Sequence, residues 1–166
     1  MSCFSSHGCQ GTLEAIESVS QRALDIMNKN IDLEKAQEYF KILLKEGLDI
    51  KLLLILGLPG EPKDIAQRTI NFIEEVQPSN VSLSILCPIP GSEIWNNPQR
   101  FGMKINPDVP FEKYLFAFGR FDDEEKTPHF FEYEKITPFG EGMSMKEIIA
   151  NHETVQTYLR ERKMNF

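Results

Sequence analysis

The sequence has few cysteines and no long apolar segment, and each shortage excludes a class of protein. Its three cysteines, Cys3, Cys9 and Cys87, are an odd number at unrelated spacings. This indicates free thiols in a reducing compartment rather than a disulfide framework. The longest apolar run, Leu52–Leu58, already contains a glycine, whereas a bilayer-spanning helix needs about 20 apolar residues. No transmembrane segment is therefore expected.

Basic residues are also in short supply. The chain has 25 acidic and 18 basic residues and a formal net charge of −7, so nucleic acid and anionic membrane surfaces would repel it. Residues 1–10 lack the basic and apolar regions of a secretory signal. A hydrophobic content of 41% is enough for one globular core. We expect a soluble, cytoplasmic protein without nucleic acid or membrane partners.

Short apolar runs alternate with amphipathic stretches in the first part of the chain, as in βα units of a parallel sheet. Helices are predicted from Gln21 to Met27, after Asp32, and along the stripe from Ile65 to Val76. Strands are predicted at Leu13–Ile16, Ile50–Leu56 and Val81–Leu86. The middle strand is almost continuously apolar, which is typical of a strand buried on both faces. The predicted class is α/β with at least three neighbouring parallel strands.

The composition changes after residue 96, which divides the chain into segments 1–96 and 97–166. Nine of the twelve phenylalanines follow residue 100, and an acidic run, Asp122 to Glu125, is typical of a solvated segment. We call residues 97–166 the C-terminal extension and predict it to be irregular with one terminal helix. That helix begins at Ser144, with Glu147 completing a capping box and His152 on its apolar stripe.

Polar and glycine-bearing loops follow the three predicted strands. They begin at Ile16-Glu17-Ser18, at Gly57-Leu58-Pro59-Gly60-Glu61, and at Cys87-Pro88-Ile89-Pro90-Gly91. Strand carboxyl ends form the ligand face of βα folds. Each loop also has a purely structural interpretation: Ser18 with Gln21 as a capping box, the glycine and proline loops as tight connections, and Cys87 as a buried inert thiol.

Taken together and in this order, the three loops resemble the second half of the radical S-adenosylmethionine fold. The stretch from about Gly8 to Trp95 is most similar to the branch with cobalamin-dependent enzymes, coproporphyrinogen oxidases and methylthiotransferases. The resemblance implies the C-terminal portion of a (β/α)6 partial TIM-like barrel. It also implies that a complete protein would use S-adenosylmethionine and a [4Fe-4S] cluster, and it is compatible with cobalamin.

The resemblance also implies roles for matching positions. Glu17 and Ser18 would meet the ribose or the methionine end of S-adenosylmethionine, since carboxylates accept hydrogen bonds from hydroxyl and ammonium groups. Lys29, with Arg22 as a rival, would meet the cofactor carboxylate. The remaining predicted cofactor-binding residues would pass along the adenine: Gly57, Pro59, Gly60, Glu61, Leu86 and Pro88.

Three departures from the family pattern bear on activity. Ala15 and Pro62 stand where relatives usually have glycine and threonine, and no C-x3-C-x2-C triplet occurs anywhere in the chain. Without three such thiolates a four-iron cluster has no protein ligands. We therefore expect no metal ligands and no catalytic residues in this chain, and no activity from the chain alone.

Two classes of function remain open. In the first, the chain is a fragment of a radical enzyme whose small-molecule substrate the sequence does not indicate. In the second, it is a non-catalytic α/β module that binds a nucleotide-like ligand or a protein partner. An exposed edge at Leu13–Ile16 would favour a homodimer or pairing through this edge strand, because unpaired strand edges promote association.

Overall fold

The computed structural model describes residues 11–110, 112 and 129–164. Cys3, His7, Cys9 and the acidic run Asp122–Glu125 lie outside these residues. Within these ranges the helices are α1 Gln21–Ile26, α2 Leu33–Lys45, α3 Ile65–Val76, α4 Glu93–Asn96 and α5 Met145–Glu161, with a 3-10 helix at Pro98–Phe101. The strands are β1 Gly11–Glu17, β2 Asp49–Leu56, β3 Asn80–Ile85, β4 Met103–Ile105, β5 Phe131–Tyr133, β6 Ile136–Thr137 and β7 Gly140–Glu141.

The first three strands form one parallel sheet in the order β1-β2-β3. Ala15 lies opposite Leu53, which lies opposite Ser82. Each connection contains helix, as parallel strands require. The prediction of three neighbouring parallel strands is confirmed, each strand starting one or two residues earlier than predicted.

Local signals fix most helix ends where the sequence predicts them. Asp32 caps α2 by accepting a hydrogen bond from the Lys35 amide, and Gly47, with φ of 78°, follows its end. Ser144 and Glu147 form the predicted capping box of α5. These caps need only side chains within one helical turn, which is why the sequence reveals them.

The predicted capping box at Ser18 and Gln21 is wrong. Ser20 caps α1, accepting a hydrogen bond from the Ala23 amide. The Gln21 side chain instead contacts Asp25 and the backbone of Ile31 and Leu33. Ser18 is occupied elsewhere, because its hydroxyl donates to Glu61, which lies 43 residues later in the sequence.

One face of the sheet packs against the core, and the other is partly exposed. Along β2, Ile50 and Leu52 are buried, whereas Lys51 is exposed and Leu53 is half-buried. The prediction that β2 is buried on both faces is therefore wrong for the described residues. An apolar run does not by itself distinguish a strand covered on two faces from one covered on a single face.

The C-terminal extension shares its core with the sheet. It contributes the small antiparallel pairs β4-β5 and β6-β7, and α5 covers the outer edge of β3. The Val81 amide donates to the Met164 carbonyl at 2.7 Å. The Leu83 carbonyl lies 3.4 Å from both His152 Nε2 and Gln156 Nε2. The division at residue 96 stays a sequence prediction, with buried side chains of both segments in one cluster.

The opposite edge of the sheet is formed by β1. Among residues 11–110, 112 and 129–164, no strand pairs with the outer side of β1. Leu13, on the partly exposed face of this strand, is 58% exposed. Self-association through β1 stays a prediction. In the same described part of the chain, no helix has the length and apolarity needed to cross a membrane.

Truncation of Leu159 in α5 tests whether the terminal helix belongs to the main core. Leu159 is fully buried, so Leu159→Ala should lower the free energy of unfolding by about 2–5 kcal/mol. Urea denaturation measures this change. Lys146→Ala, at an exposed position of the same helix, should stay within about 0.5 kcal/mol of wild type. Equal effects of the two substitutions would show that α5 is not docked.

Candidate functional site

The candidate site lies at the carboxyl ends of β1, β2 and β3. The first of these ends is distorted: pairing with β2 shifts register between Ala15 and Glu17. Glu17 has a φ of 67°, a left-handed conformation that costs energy for a residue with a side chain. The resulting bend turns the chain so that Ser18 faces the loop after β2.

Glu17 and Lys29 form an ion pair at the end of β1, Lys29 Nζ contacting Glu17 Oε1. Their side chains are 21% and 39% exposed, respectively, so both remain accessible to a ligand. The Lys29 amide donates to the Leu24 carbonyl at 2.8 Å, which anchors the turn that carries this lysine after α1. The site thus presents an acceptor and a cation side by side.

Arg22, the predicted alternative to Lys29 for the cofactor carboxylate, contacts the C-terminal extension instead. Its guanidinium donates to the Phe139 carbonyl in the C-terminal extension. Its Cγ packs beside Gly60, 3.8 Å from where a Cβ on that glycine would stand. The structure therefore pairs Lys29, and not Arg22, with Glu17.

Glu61 is the buried centre of the site, with only 6% of its surface exposed. Its Oε1 accepts a hydrogen bond from the Ser18 hydroxyl at 2.6 Å. Its Oε2 accepts from the amides of Gly57 at 2.8 Å and Leu58 at 3.2 Å. One carboxyl group therefore joins the loop after β1 to the loop after β2.

Burial raises the pKa of Glu61 from 4.5 to about 7, against the opposing effect of its three hydrogen-bond donors. Burial disfavours the charged carboxylate, whereas donors favour it. In the part of the chain that the structure describes, no cation contributes to this pKa shift. The side chain therefore titrates near neutral pH.

The glycines of the second loop are needed for conformation and for close packing. Gly57 and Gly60 have φ values of 87° and 80°, which favour glycine. A Cβ on Gly60 would lie 2.3 Å from Ile26 Cδ1 of α1. Pro59 between them is buried. The loop is thus held closely against α1.

The third loop follows β3 and lies beside the end of β2. The Leu86 amide donates to the Leu56 carbonyl at 2.8 Å, and both Leu86 and Pro88 are buried. Burial raises the pKa of the half-buried Cys87 thiol to about 11. Cys87 is therefore protonated at neutral pH and a poor nucleophile.

Tyr133 is the site residue that the sequence did not reveal. It lies in β5 of the C-terminal extension, and its hydroxyl donates to the Gly57 carbonyl at 2.8 Å. Burial, together with the charge of Glu61, raises its pKa well above 10. A three-residue strand, 76 positions away from Gly57, carries no sequence signal for such a contact.

Comparison with known proteins gives partial matches to several enzymes. No family profile matches the chain. An uncharacterized methyltransferase of Pyrococcus horikoshii is 30% identical over 88 residues, covering 53% of this chain and 19% of that protein. The ribosomal protein uS12 methylthiotransferase RimO of Leptospira biflexa is 31% identical over 80 residues, 47% of this chain and 18% of that protein.

In sequence this chain is similar to members of the radical S-adenosylmethionine superfamily. It matches less than a fifth of the length of these two relatives. Among solved structures, Methanocaldococcus infernus Elp3 with an N-terminal deletion aligns with 93% of this chain and 37% of that chain. The TM-score is 0.49 and the identity is 14%.

The residues of this chain do not provide the ligands of an iron–sulfur cluster. Within the described ranges, no group of three or more His, Cys, Asp or Glu side chains could hold a metal ion. Cys3 and Cys9 are separated by five residues, and Cys87 follows a different strand. Three suitably spaced thiolates are therefore lacking in this chain.

Glu61→Gln tests the titration of the buried carboxyl group. Because the pKa is near 4.5 in the unfolded chain and about 7 in the folded one, the folded state binds more protons between these values. Stability should therefore fall as pH rises from about 5 to 7, by on the order of 2–3 kcal/mol. The glutamine amide cannot titrate, so the substitution should abolish this fall. Urea unfolding of both proteins from about pH 5 to 8 measures it.

The difference between the two proteins isolates this group. Burial lowers the pKa of His152, which makes stability rise as pH approaches the ordinary histidine pKa of about 6.5, but this contribution is common to both. Parallel stability profiles would show that Glu61 does not titrate near neutral pH.

Proposed function

We propose that residues 11–96 form the C-terminal part of a cofactor barrel in a radical S-adenosylmethionine enzyme and contact S-adenosylmethionine. The observation that carries this proposal is the hydrogen-bonded connection of Ser18, Glu61 and Gly57. It connects two strand-end loops at one edge of the sheet. Ligands of parallel α/β sheets bind at this edge.

The proposed contacts follow from the chemistry of each side chain. Lys29 would bind the carboxylate of the methionine end, since an ammonium group is a point charge suited to an anion. Glu17, its ion-pair partner, would accept hydrogen bonds from the ammonium or ribose hydroxyl groups. The two residues are already adjacent and partly exposed. On ligand binding the ion pair would separate, and each side chain would bind the opposite charge at the zwitterionic end of the ligand.

The glycine loop would contribute shape rather than hydrogen bonds. Glu61 already binds the amides of Gly57 and Leu58, and Tyr133 binds the Gly57 carbonyl. Adenine would therefore pack against the Gly57–Gly60 loop and the apolar wall of Leu86 and Pro88. Burial of Glu61 keeps this loop fixed without offering its carboxylate to the ligand.

The chemistry of the complete enzyme would depend on groups outside this chain. Full-length members of the superfamily use S-adenosylmethionine with a [4Fe-4S] cluster, which supplies the electron for radical formation. Because the residues of this chain do not fit the cluster, we assign cofactor contacts, and no catalytic residue, to this chain. The cobalamin and cytoplasmic assignments stay predictions.

Lys29→Met tests the proposed carboxylate contact. Calorimetric titration of the chain with S-adenosylhomocysteine should show weak binding, with Kd of about 0.1–1 mM. Removal of the ammonium should weaken it about tenfold, because a charge-assisted hydrogen bond is lost. Adenosine, which lacks the carboxylate, should bind the variant and the wild type equally.

Lys35→Met provides the matched control. Lys35 is in the neighbouring helix α2, its side chain is 81% exposed, and it is paired with Asp32. This variant should bind both ligands as the wild type does. An equal loss of adenosine and S-adenosylhomocysteine affinity in Lys29→Met would contradict the assigned contact. Absence of binding by the wild type would reject the proposed function.

Anaerobic reconstitution with iron and sulfide tests the assignment of the cluster to groups outside the chain. We expect no stoichiometric cluster absorbance and no 5′-deoxyadenosine after addition of S-adenosylmethionine and dithionite, since three correctly spaced thiolates are lacking. The triple variant Cys3→Ser, Cys9→Ser, Cys87→Ser serves as the blank. Turnover by the wild type above that of the blank would overturn this assignment.

A further inference from the structure

Gly57 is enclosed by side chains from three separate parts of the chain. Its amide donates to Glu61 Oε2, and its carbonyl accepts from Tyr133. A Cβ on this glycine would lie 3.1 Å from Ile148 Cγ2 of α5. Two of these three contacts, those of Tyr133 and Ile148, come from the C-terminal extension.

The peptide group between Gly57 and Leu58 is fixed at both of its polar atoms. Its carbonyl oxygen belongs to Gly57 and accepts from Tyr133 at 2.8 Å, and its N–H belongs to Leu58 and donates to Glu61 at 3.2 Å. A peptide plane held at both ends cannot rotate without breaking a buried hydrogen bond. Such a rotation would change the surface presented by a loop whose φ at Gly57 is already 87°.

We propose that Tyr133 is a positioning residue: it sets the orientation of the Gly57–Leu58 peptide and thereby the affinity of the loop for an adenosyl ligand. The part concerning affinity rests on the proposed function. The C-terminal extension then acts on the cofactor loop directly, through one hydroxyl group. A substitution at this position of the extension would therefore alter cofactor affinity although every residue of the segment 1–96 is unchanged.

The ring of Tyr133 is held independently of its hydroxyl. It packs edge-on against Phe131, with ring centroids 5.3 Å apart and an interplanar angle of 81°, and Phe131 is fully buried. Removal of the hydroxyl should therefore leave the ring in place. The hydroxyl stays protonated at neutral pH, because its pKa lies well above 10, and so it remains a donor across the usual working range.

Tyr133→Phe is the variant that tests this role in the full chain. Amide hydrogen exchange without ligand should become about five- to tenfold faster at Leu58, the change expected when one neutral hydrogen bond is lost. The Kd for S-adenosylhomocysteine should rise by a similar factor. Exchange in the middle of α3 and β3 should stay at the wild-type rate when corrected for the change in global stability.

Two control variants separate positioning from general destabilisation. Ile73→Val removes one methyl group from a fully buried side chain of α3 and lowers stability without touching the loop contacts described above. Tyr39→Phe removes a hydroxyl from a side chain that is 52% exposed. Neither should selectively accelerate exchange at Leu58 or change the Kd.

The two readouts also separate this inference from the proposed function. If the wild type binds S-adenosylhomocysteine and Tyr133→Phe binds it equally well, the positioning role is rejected while the proposed function survives. If the wild type does not bind, the proposed function fails, and exchange at Leu58 alone decides whether Tyr133 fixes the peptide. If Leu58 exchanges no faster in Tyr133→Phe than in Ile73→Val, Tyr133 does not fix the peptide.

Discussion

The arrangement of the site depends on one buried carboxyl group. Glu61 contacts Ser18 after β1 and the amides of Gly57 and Leu58 after β2. A buried acid without partners would be costly, so these three donors and the burial of Glu61 constrain one another. The two loops cannot move apart without leaving this group unsatisfied. The rest of the strand-end edge is built around that constraint.

The same constraint explains the local distortion at the end of β1. The register shift and the left-handed Glu17 direct Ser18 towards Glu61, and the Ser18 hydroxyl also accepts from the Ser20 amide at 3.2 Å. Backbone strain is thus offset by buried hydrogen bonds. It also leaves the Glu17 carboxylate partly exposed beside Lys29, where a ligand can meet both charges.

The C-terminal extension joins this arrangement from the other side of the loop. Tyr133 and Ile148 close around Gly57, while α5 and the Met164 carbonyl cover the outer edge of β3. A segment whose sequence predicts irregular structure therefore completes both the core and the loop environment. Among its described phenylalanines, Phe101, Phe130 and Phe131 are buried in the core. Coupling between the extension and the loop follows from these contacts.

The sequence by itself determined what depends on near neighbours: the alternation of strands and helices, the helix starts after Asp32 and at Ser144, and the three loops that resemble the radical S-adenosylmethionine fold. It could not determine contacts between distant residues. Whether Ser18 caps a helix or binds Glu61, and whether β2 is covered on one face or two, depends on which segments meet in space. Only the tertiary structure decided these points and brought Tyr133 to Gly57, because a side chain's partner across 76 positions leaves no local periodicity to detect.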